Sequence, residues 1–440
     1  MKNINIALFL LCCVSGLMAQ QSPLLTKKDA VAETLERNFG IVIARNNVAI
    51  SENNKSVLNS GFLPSLTGNA GANYNIEDQT VTFQDGSEST VQDAETTRYN
   101  ASVNLAYTLF DGMGRYYDYK RLKEEYNLGE LQARETIELT MLQLFTVYFE
   151  VARLSENVTV LDETFQNTKN RLTRAQYAFE YGQVNKLEVL NAEVDIVTDS
   201  INLMNAKQQL ENAKRDLNVV TNEENLERQF SVDTTVAFSN PLQLEAFIRA
   251  ADTNNVRLLQ ANRNIKISEY DYKASKSIYL PSVGLAGAYG WNEGNFPATN
   301  FSSSSTTTGF SAGVTLRWSL FDGGSGITAV KNARIRTSNE ELFKMQIISE
   351  VKRDIANARG DYENRLAIYR LQEKNVLTAT NNFERSNERY KLGQITSLEL
   401  RQAQINLLNA RTNKNLAKYE AKLAELELLQ LTGQLLNTEL

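Results

Sequence analysis

Two periods divide the chain. In the first, an apolar residue returns at every seventh position: Ile137, Leu144, Val151, Val158, Phe165, Leu172 and Phe179. The same ladder reappears as Ile348, Ile355, Tyr362, Tyr369, Val376, Phe383 and Tyr390. A strict seven-residue repeat predicts long helices wound left-handedly around a neighbour. No proline falls between Pro64 and Pro241 or after Pro297, so nothing breaks them. In the second, the period is two. Tyr99, Ala101, Val103, Leu105, Tyr107 and Leu109 alternate with Asn100, Ser102, Asn104, Ala106 and Thr108. Phe310, Ala312, Val314, Leu316, Trp318 and Leu320 alternate with Ser311, Gly313, Thr315, Arg317 and Ser319. This pattern predicts strands with one apolar and one wet face. Two weaker strands, rich in Gly, Ala and Asn, precede these, placing strands at about 66–76, 98–110, 283–292 and 309–321.

The pattern occurs twice. Phe62-Leu63-Pro64-Ser65 returns as Tyr279-Leu280-Pro281-Ser282, displaced by 217 residues (279 less 62). Leu109-Phe110-Asp111-Gly112 returns as Leu320-Phe321-Asp322-Gly323, displaced by 211 (320 less 109). Each ladder runs into a glycine, Gly182 or Gly393, also 211 apart, after which a second apolar run begins. Glycine just past a helix is the usual left-handed stop. Asn185 and Ser397 are the expected N-caps of the restart. Each copy therefore reads as helix, strand, strand, long helix, tight tip and helix. The first copy spans 21–220 and the second 241–440, with 221–240 as a linker. The opening helices start near Thr26, with Asp29 three residues on, and at Asn240-Pro241, and both are expected to run unbroken to the Leu-Pro-Ser motif. Each long helix would reach about 100 Å.

The segments joining the strands are polar. Ile76 to Arg98 carries six acids (Glu77, Asp78, Asp85, Glu88, Asp93, Glu95) and one Arg, and 292–308 contain Ser302-Ser303-Ser304-Ser305. Both are expected to be solvated loops, with cation binding by the acidic one as the sharper alternative.

Composition narrows the chemistry. The mean hydropathy is −0.36. Beyond the first 20 residues no run approaches the roughly 18 apolar residues of a membrane helix, so a membrane role must use strands. Residues 1–20 have the charged start, apolar middle and small-residue end of a signal peptide. Both cysteines, Cys12 and Cys13, lie within it, and the residues before Cys12 do not form a lipobox. The remainder has neither Cys nor His, which excludes thiol catalysis and the common zinc sites. No cofactor or metal is expected. Losing Lys2 with the leader takes the formal charge from −6 to −7, which argues against a nucleic-acid partner.

Four strands cannot close a barrel, and an open sheet edge is not tolerated in hydrocarbon, so several chains must pool strands. Taken together, the leader, the duplicated strand–strand–long-helix unit, the Leu-Phe-Asp-Gly joints and the tips resemble the TolC family of outer membrane efflux proteins over the whole mature chain. The resemblance implies a mixed fold: a homotrimer whose twelve-stranded β-barrel in the outer membrane continues into a periplasmic α-helical barrel. It implies a passive exit duct that docks a periplasmic adaptor and an inner-membrane pump of the RND or ABC type, with no chemistry of its own.

The resemblance also implies roles. Glu399 matches the first of two acids that narrow the periplasmic gate, while the second position holds Gln402. Crowded symmetry-related carboxylates there would raise one another's pKa. Glu188 matches an acid that latches to Tyr390, although Tyr390 also continues the heptad ladder. An arginine expected two residues after the second tip glycine is replaced by Ile395, so one latch is missing or replaced. Gly182, Gln183, Gly393 and Gln394 match the tips that receive the adaptor. Asp111, Gly112, Asp322 and Gly323 match the turns where strand becomes helix. The competing expectation is a secreted coiled-coil rod without a channel, for which a lipid-like strand face has no use. An enzyme fits worst, because no nucleophile and base come together. The cargo is not written in the chain.

Overall fold

The heptad ladders are two uninterrupted helices of equal length. In the computed structural model, which describes residues 23–438, α3 (Gly114–Glu180) and α8 (Ser325–Lys391) each hold 67 residues. Each is followed by a helix about half as long, α4 (Lys186–Thr221) and α9 (Ser397–Leu431). The leader and both cysteines lie outside the described residues.

The helices that open each half are not continuous. Thr26 caps α1 (Lys27–Arg37), accepting the Asp29 amide at 3.2 Å. Asn240 caps α5 (Pro241–Arg249) with Pro241 in the first turn. Both starts agree with the sequence, but both helices then break. The first is interrupted at Asn38 (φ −61°, ψ 124°) before α2 (Phe39–Asn54). The second passes through α6 (Ala251–Asn254) and is interrupted at Asn255 (φ −62°, ψ 124°) before α7 (Val256–Ser275). The physical reason is the same at both places. The Asn38 side-chain amide donates to the Val220 carbonyl at 2.9 Å while its oxygen accepts the Gly40 amide. The Asn255 amide donates to the Leu431 carbonyl at 2.7 Å while its oxygen accepts the Leu258 amide at 3.2 Å. Each asparagine thus starts one helix and satisfies a C-terminal carbonyl of another, giving up one helical residue to serve two orphaned ends.

The described residues form two compact units. One contains residues up to Arg45, Gln132–Leu259 and those from Ile347 onward. Its core is built on the middle of α3, where Leu144, Phe145, Tyr148 and Phe149 are buried against Leu217, Phe230, Tyr419, Leu426 and Leu429. The expected linker contributes to this core. Phe230 is buried, and β4 (Ser231–Val232) pairs in parallel with β1 (Leu24–Leu25). The Tyr148 hydroxyl joins the two strands, donating to the Leu25 carbonyl at 2.9 Å and accepting the Asp233 amide at 3.0 Å. Burial pushes its pKa up to about 12, so it remains a donor at any physiological pH.

The other unit, Asn46–Leu131 with Gln260–Gln346, holds an antiparallel sheet of order β2-β3-β5-β6. Its strands are β2 (Ser65–Thr82), β3 (Glu88–Asp111), β5 (Ser282–Asn295) and β6 (Ser304–Arg317). The register places Leu66, Leu105, Gly287 and Ala312 in one row, and Gly68, Val103, Tyr289 and Phe310 in the next row on that face. The opposite face carries Thr67, Asn104, Ala288 and Ser311. The face assignment read from period two therefore holds across all four strands.

The strand limits differ from those expected. Residues 77–82 and 88–97 are paired strand, not loop, closed by a turn in which the Phe83 amide donates to the Ser87 carbonyl at 2.8 Å. This extension is largely exposed, so it needs no apolar alternation. Its Thr and Val residues favour extended backbone, and the Thr80 and Thr90 hydroxyls pair across it at 3.2 Å. In the second hairpin the strand begins within the serine run and stops at Arg317. Trp318 turns away, its indole donating to the Tyr279 carbonyl at 3.3 Å.

Replacing Asn255 by alanine should lower stability by about 1–3 kcal/mol, because it strands the Leu431 carbonyl in a buried place. Asn255→Asp should not rescue it, since a carboxylate cannot donate. Chemical denaturation of the detergent-solubilised protein measures both, and equal stability of Asn255→Asp and wild type would contradict the account.

Candidate functional site

Both tips are built the same way. At the end of α3 the Gly182 amide donates to the Phe179 carbonyl at 2.9 Å and the Gln183 amide to the Ala178 carbonyl at 2.8 Å. At the end of α8, Gly393 donates to Tyr390 at 3.0 Å and Gln394 to Arg389 at 2.9 Å. This reversal requires a left-handed residue, and the glycines have φ of +71° and +70°. Gly182, Gln183, Gly393 and Gln394 are all exposed. So are large apolar neighbours, with Tyr181 79%, Leu392 71% and Leu398 78% accessible.

The helices restart on different caps. Asn185 accepts the Glu188 amide at 3.2 Å, as expected. In the second tip the cap is Thr396, not Ser397, because the capping box needs its acid at the third helical position and Glu399 occupies it. The Glu399 carboxylate accepts the Thr396 amide at 2.8 Å and its hydroxyl at 2.9 Å. The Thr396 amide first, and then its hydroxyl, holds the Glu399 pKa below the usual carboxylate range. Within one chain the shift is thus opposite to the one expected from crowding. Gln402, one turn on, is exposed and bonds only along its own helix, to Asn406 at 3.0 Å.

The Tyr390 pKa is raised by burial first and by the Glu188 charge second, while the Ser397 hydroxyl works the other way. Among the described residues no hydrogen bond joins the Glu188 and Tyr390 side chains.

The strongest polar contacts near the tips come from residues that sequence reasoning passed over. Arg401 grips Asp199 through both terminal nitrogens, each at 2.8 Å. Thr168 donates to the same carboxylate at 2.6 Å. Arg171 pairs with Asp195 and also donates to the Ser397 carbonyl at 3.5 Å. The Gln404 amide donates to the Thr164 carbonyl and the Thr168 hydroxyl, both at 3.0 Å. The Asp199 side chain is 3% accessible, so the bidentate geometry is what offsets its desolvation. Burial alone would lower the Arg401 pKa, but Asp199 outweighs it and the net shift is upward. The network fastens α3 and α4 to α9. Its signal in the sequence is broken symmetry: 211 residues apart, Arg401 faces Leu190 and Asp199 faces Ala410.

The four joint residues lie in the sheet-bearing unit. Asp111 accepts the Arg115 amide at 2.9 Å and its Nε at 3.0 Å, and Arg115 reaches on to the Gly61 and Thr108 carbonyls. Gly112 has φ +70°, and a Cβ there would lie 2.7 Å from the Ser277 carbonyl. Asp322 accepts the Gly324 and Gly326 amides and the Ser325 hydroxyl, while Gly323 turns at φ +72°. Asp111 ends β3 and caps α3, whereas Asp322 lies beyond the end of β6 at Arg317 and caps α8 without an arginine.

A sheet apolar on one face, long uninterrupted helices and tight exposed tips define a membrane conduit protein. Residues 30–223 and 247–434 each match the family model described as outer membrane efflux protein, and the chain belongs to that family. It is similar to the outer membrane protein TolC of Vibrio cholerae, 23% identical over 383 residues, covering 86% of this chain and 83% of the relative. It is also similar to the outer membrane efflux protein BepC of Brucella suis, 21% identical, covering 96% and 90%. Its fold matches the outer membrane channel CmeC of Campylobacter jejuni with a TM-score of 0.74 at 16% identity, covering 93% and 86%. The protein is an outer membrane exit duct for an efflux system.

Asp199→Ala should destabilise the tip segments by about 3 kcal/mol, because it takes the bidentate partner from a largely buried guanidinium and leaves only the Asp195 carboxylate to pair with it, at 3.4 Å. Hydrogen exchange at 186–203 and 397–407 would report it. Asp199→Leu combined with Arg401→Met should regain most of the protection, and the same loss in the double variant would show that the pair is not the fastening.

Proposed function

We propose that three copies pool their strands into a closed twelve-stranded barrel and that their long helices form a second, helical barrel in the periplasm. The chain would then be a tandem duplication whose two halves alternate around the wall. The observation that carries this reading is the sheet. It has one apolar face, one wet face and two outer strands, β2 and β6, each hydrogen-bonded on one side only. In hydrocarbon every backbone group must be paired within the protein, and closure with other copies is the arrangement that achieves it. An even strand number of twelve fits the known range of such barrels. The lumen would be lined mainly by Asn, Ser, Thr and Gly, with few charges such as Arg317, and would pass solutes passively.

The tips are the end that meets a periplasmic adaptor and, through it, an inner-membrane pump of the RND or ABC type. Gly182, Gln183, Gly393 and Gln394 offer exposed backbone for that contact, and the neighbouring Tyr181, Leu392 and Leu398 offer bare apolar surface. Glu399 would line the gate with its symmetry mates, weakened by Gln402 in place of a second acid. Glu188 and Tyr390 would hold the inner pair of helices closed by proximity of charge and phenol. Selection of the cargo rests with the pump.

Extraction from outer membranes should yield a detergent-stable trimer that conducts in planar bilayers. A soluble, non-conducting monomer would sink the duct. In the same bilayers Glu188→Ala should raise the basal conductance several-fold, and an unchanged closed state would remove Glu188 from the latch.

A further inference from the structure

Lysines stacked on tyrosines gather where the helices meet the sheet. The Lys55 ammonium lies 3.1 Å from the Tyr126 ring centre, Lys123 lies 4.3 Å from Tyr119, and Lys120 lies 5.6 Å from Tyr116. On α7, Lys273 and Lys276 cover Tyr270 and Tyr272 in the same way. Lys55, Lys120, Lys123, Tyr126, Asn127 and Tyr270 line a cleft of about 350 Å³. Its one acid, Glu124, is already engaged by Arg263 at 2.9 Å and by Asn127 at 3.2 Å. Lys55 has Glu52 at 3.3 Å, but among the described residues Lys120 and Lys123 have no carboxylate within pairing distance. The cleft therefore carries two uncompensated positive charges.

Its height relative to the sheet is fixed by the chain. Strand β3 ends at Asp111 and α3 begins at Gly114. Lys120 and Lys123 are six and nine residues into that helix, about 9 Å and 14 Å along its axis. Side chains on a helix lean toward its N-terminus, which here is the sheet end, so both ammonium groups reach back toward the membrane boundary. Tyrosine and lysine are the side chains that an interface favours, one for its amphipathic ring and the other for its long stem. At the far end of the sheet the charge is reversed, with Asp78, Asp85, Glu88 and Asp93 on the extended hairpin.

We propose that this cleft binds the phosphate of an anionic phospholipid in the periplasmic leaflet, fixing the depth at which the sheet sits. The inference rests on the sheet being the membrane-spanning part. Its test uses the full-length protein reconstituted in nanodiscs of mixed phosphatidylglycerol and phosphatidylcholine, with retained lipid read by native mass spectrometry. Wild type should hold phosphatidylglycerol roughly tenfold over phosphatidylcholine, and Lys120→Gln with Lys123→Gln should abolish that preference while leaving insertion intact. Equal retention of both lipids by wild type would overturn the proposal. So would a double variant that keeps its lipid but changes the ion selectivity of the pore, since that places the lysines in the duct. Failure of wild type to enter bilayers at all would remove the spanning sheet, and this proposal with it.

Discussion

A backbone amide that enters hydrocarbon without a partner costs several kcal/mol, and no side chain on this chain can repair that along a whole strand. The consequence reaches every part of the molecule. The sheet offers an apolar face suited to lipid, yet β2 and β6 each leave one row of amides and carbonyls open. It is this open pairing that the proposed closure with other copies would satisfy, with the polar face turned toward the axis. At the first joint only Gly112 and Met113 separate strand from helix, whereas at the second the chain between Arg317 and Ser325 lies outside either element. Arg115, tied to Asp111 and to two carbonyls of the flanking segments, makes the first joint a rigid corner.

Much of the fold is legible in the sequence. Period two located the paired faces of β3 and β6, because side chains on a strand alternate between an apolar and a polar side. Period seven located the long helices, because a helix that packs along its full length must repeat its contacts. The glycine stops and the Asn240-Pro241 start are local backbone chemistry and were equally plain. The extended hairpin was not, since its covered positions mix Gln79, Ser89 and Thr96 with Val81, Val91 and Ala94 and show no apolar alternation. Nor were the breaks at Asn38 and Asn255, where a tertiary bond to a distant carbonyl overrides helix propensity. These asparagines do stand 217 residues apart, the same displacement as the Leu-Pro-Ser motif, so duplication held the clue.

The site was legible by position and not by mechanism. The tip glycines turn the chain with positive φ, and Glu399 closes a capping box. What joins the halves near the tip is instead Arg401 on Asp199, and it escaped notice because arginines and acids on a helix usually face solvent. Only burial distinguishes a structural pair from a decorative one. The two halves are alike in backbone and unlike in charge at this level. Similar backbone at the two tips thus coexists with unequal polar contacts, carried by Arg401 and Asp199 on one side only.

The pairing of β1 with β4 also governs when the molecule can fold. Leu24 must wait for Ser231, and the core that surrounds Tyr148 is completed only by Tyr419, Leu426 and Leu429. Contacts so distant in sequence carry a heavy loop-closure cost and form slowly. The central core therefore cannot close while the chain is still being delivered. A nearly complete polypeptide, with its apolar ladder exposed, has to be kept from aggregating until its last helix arrives.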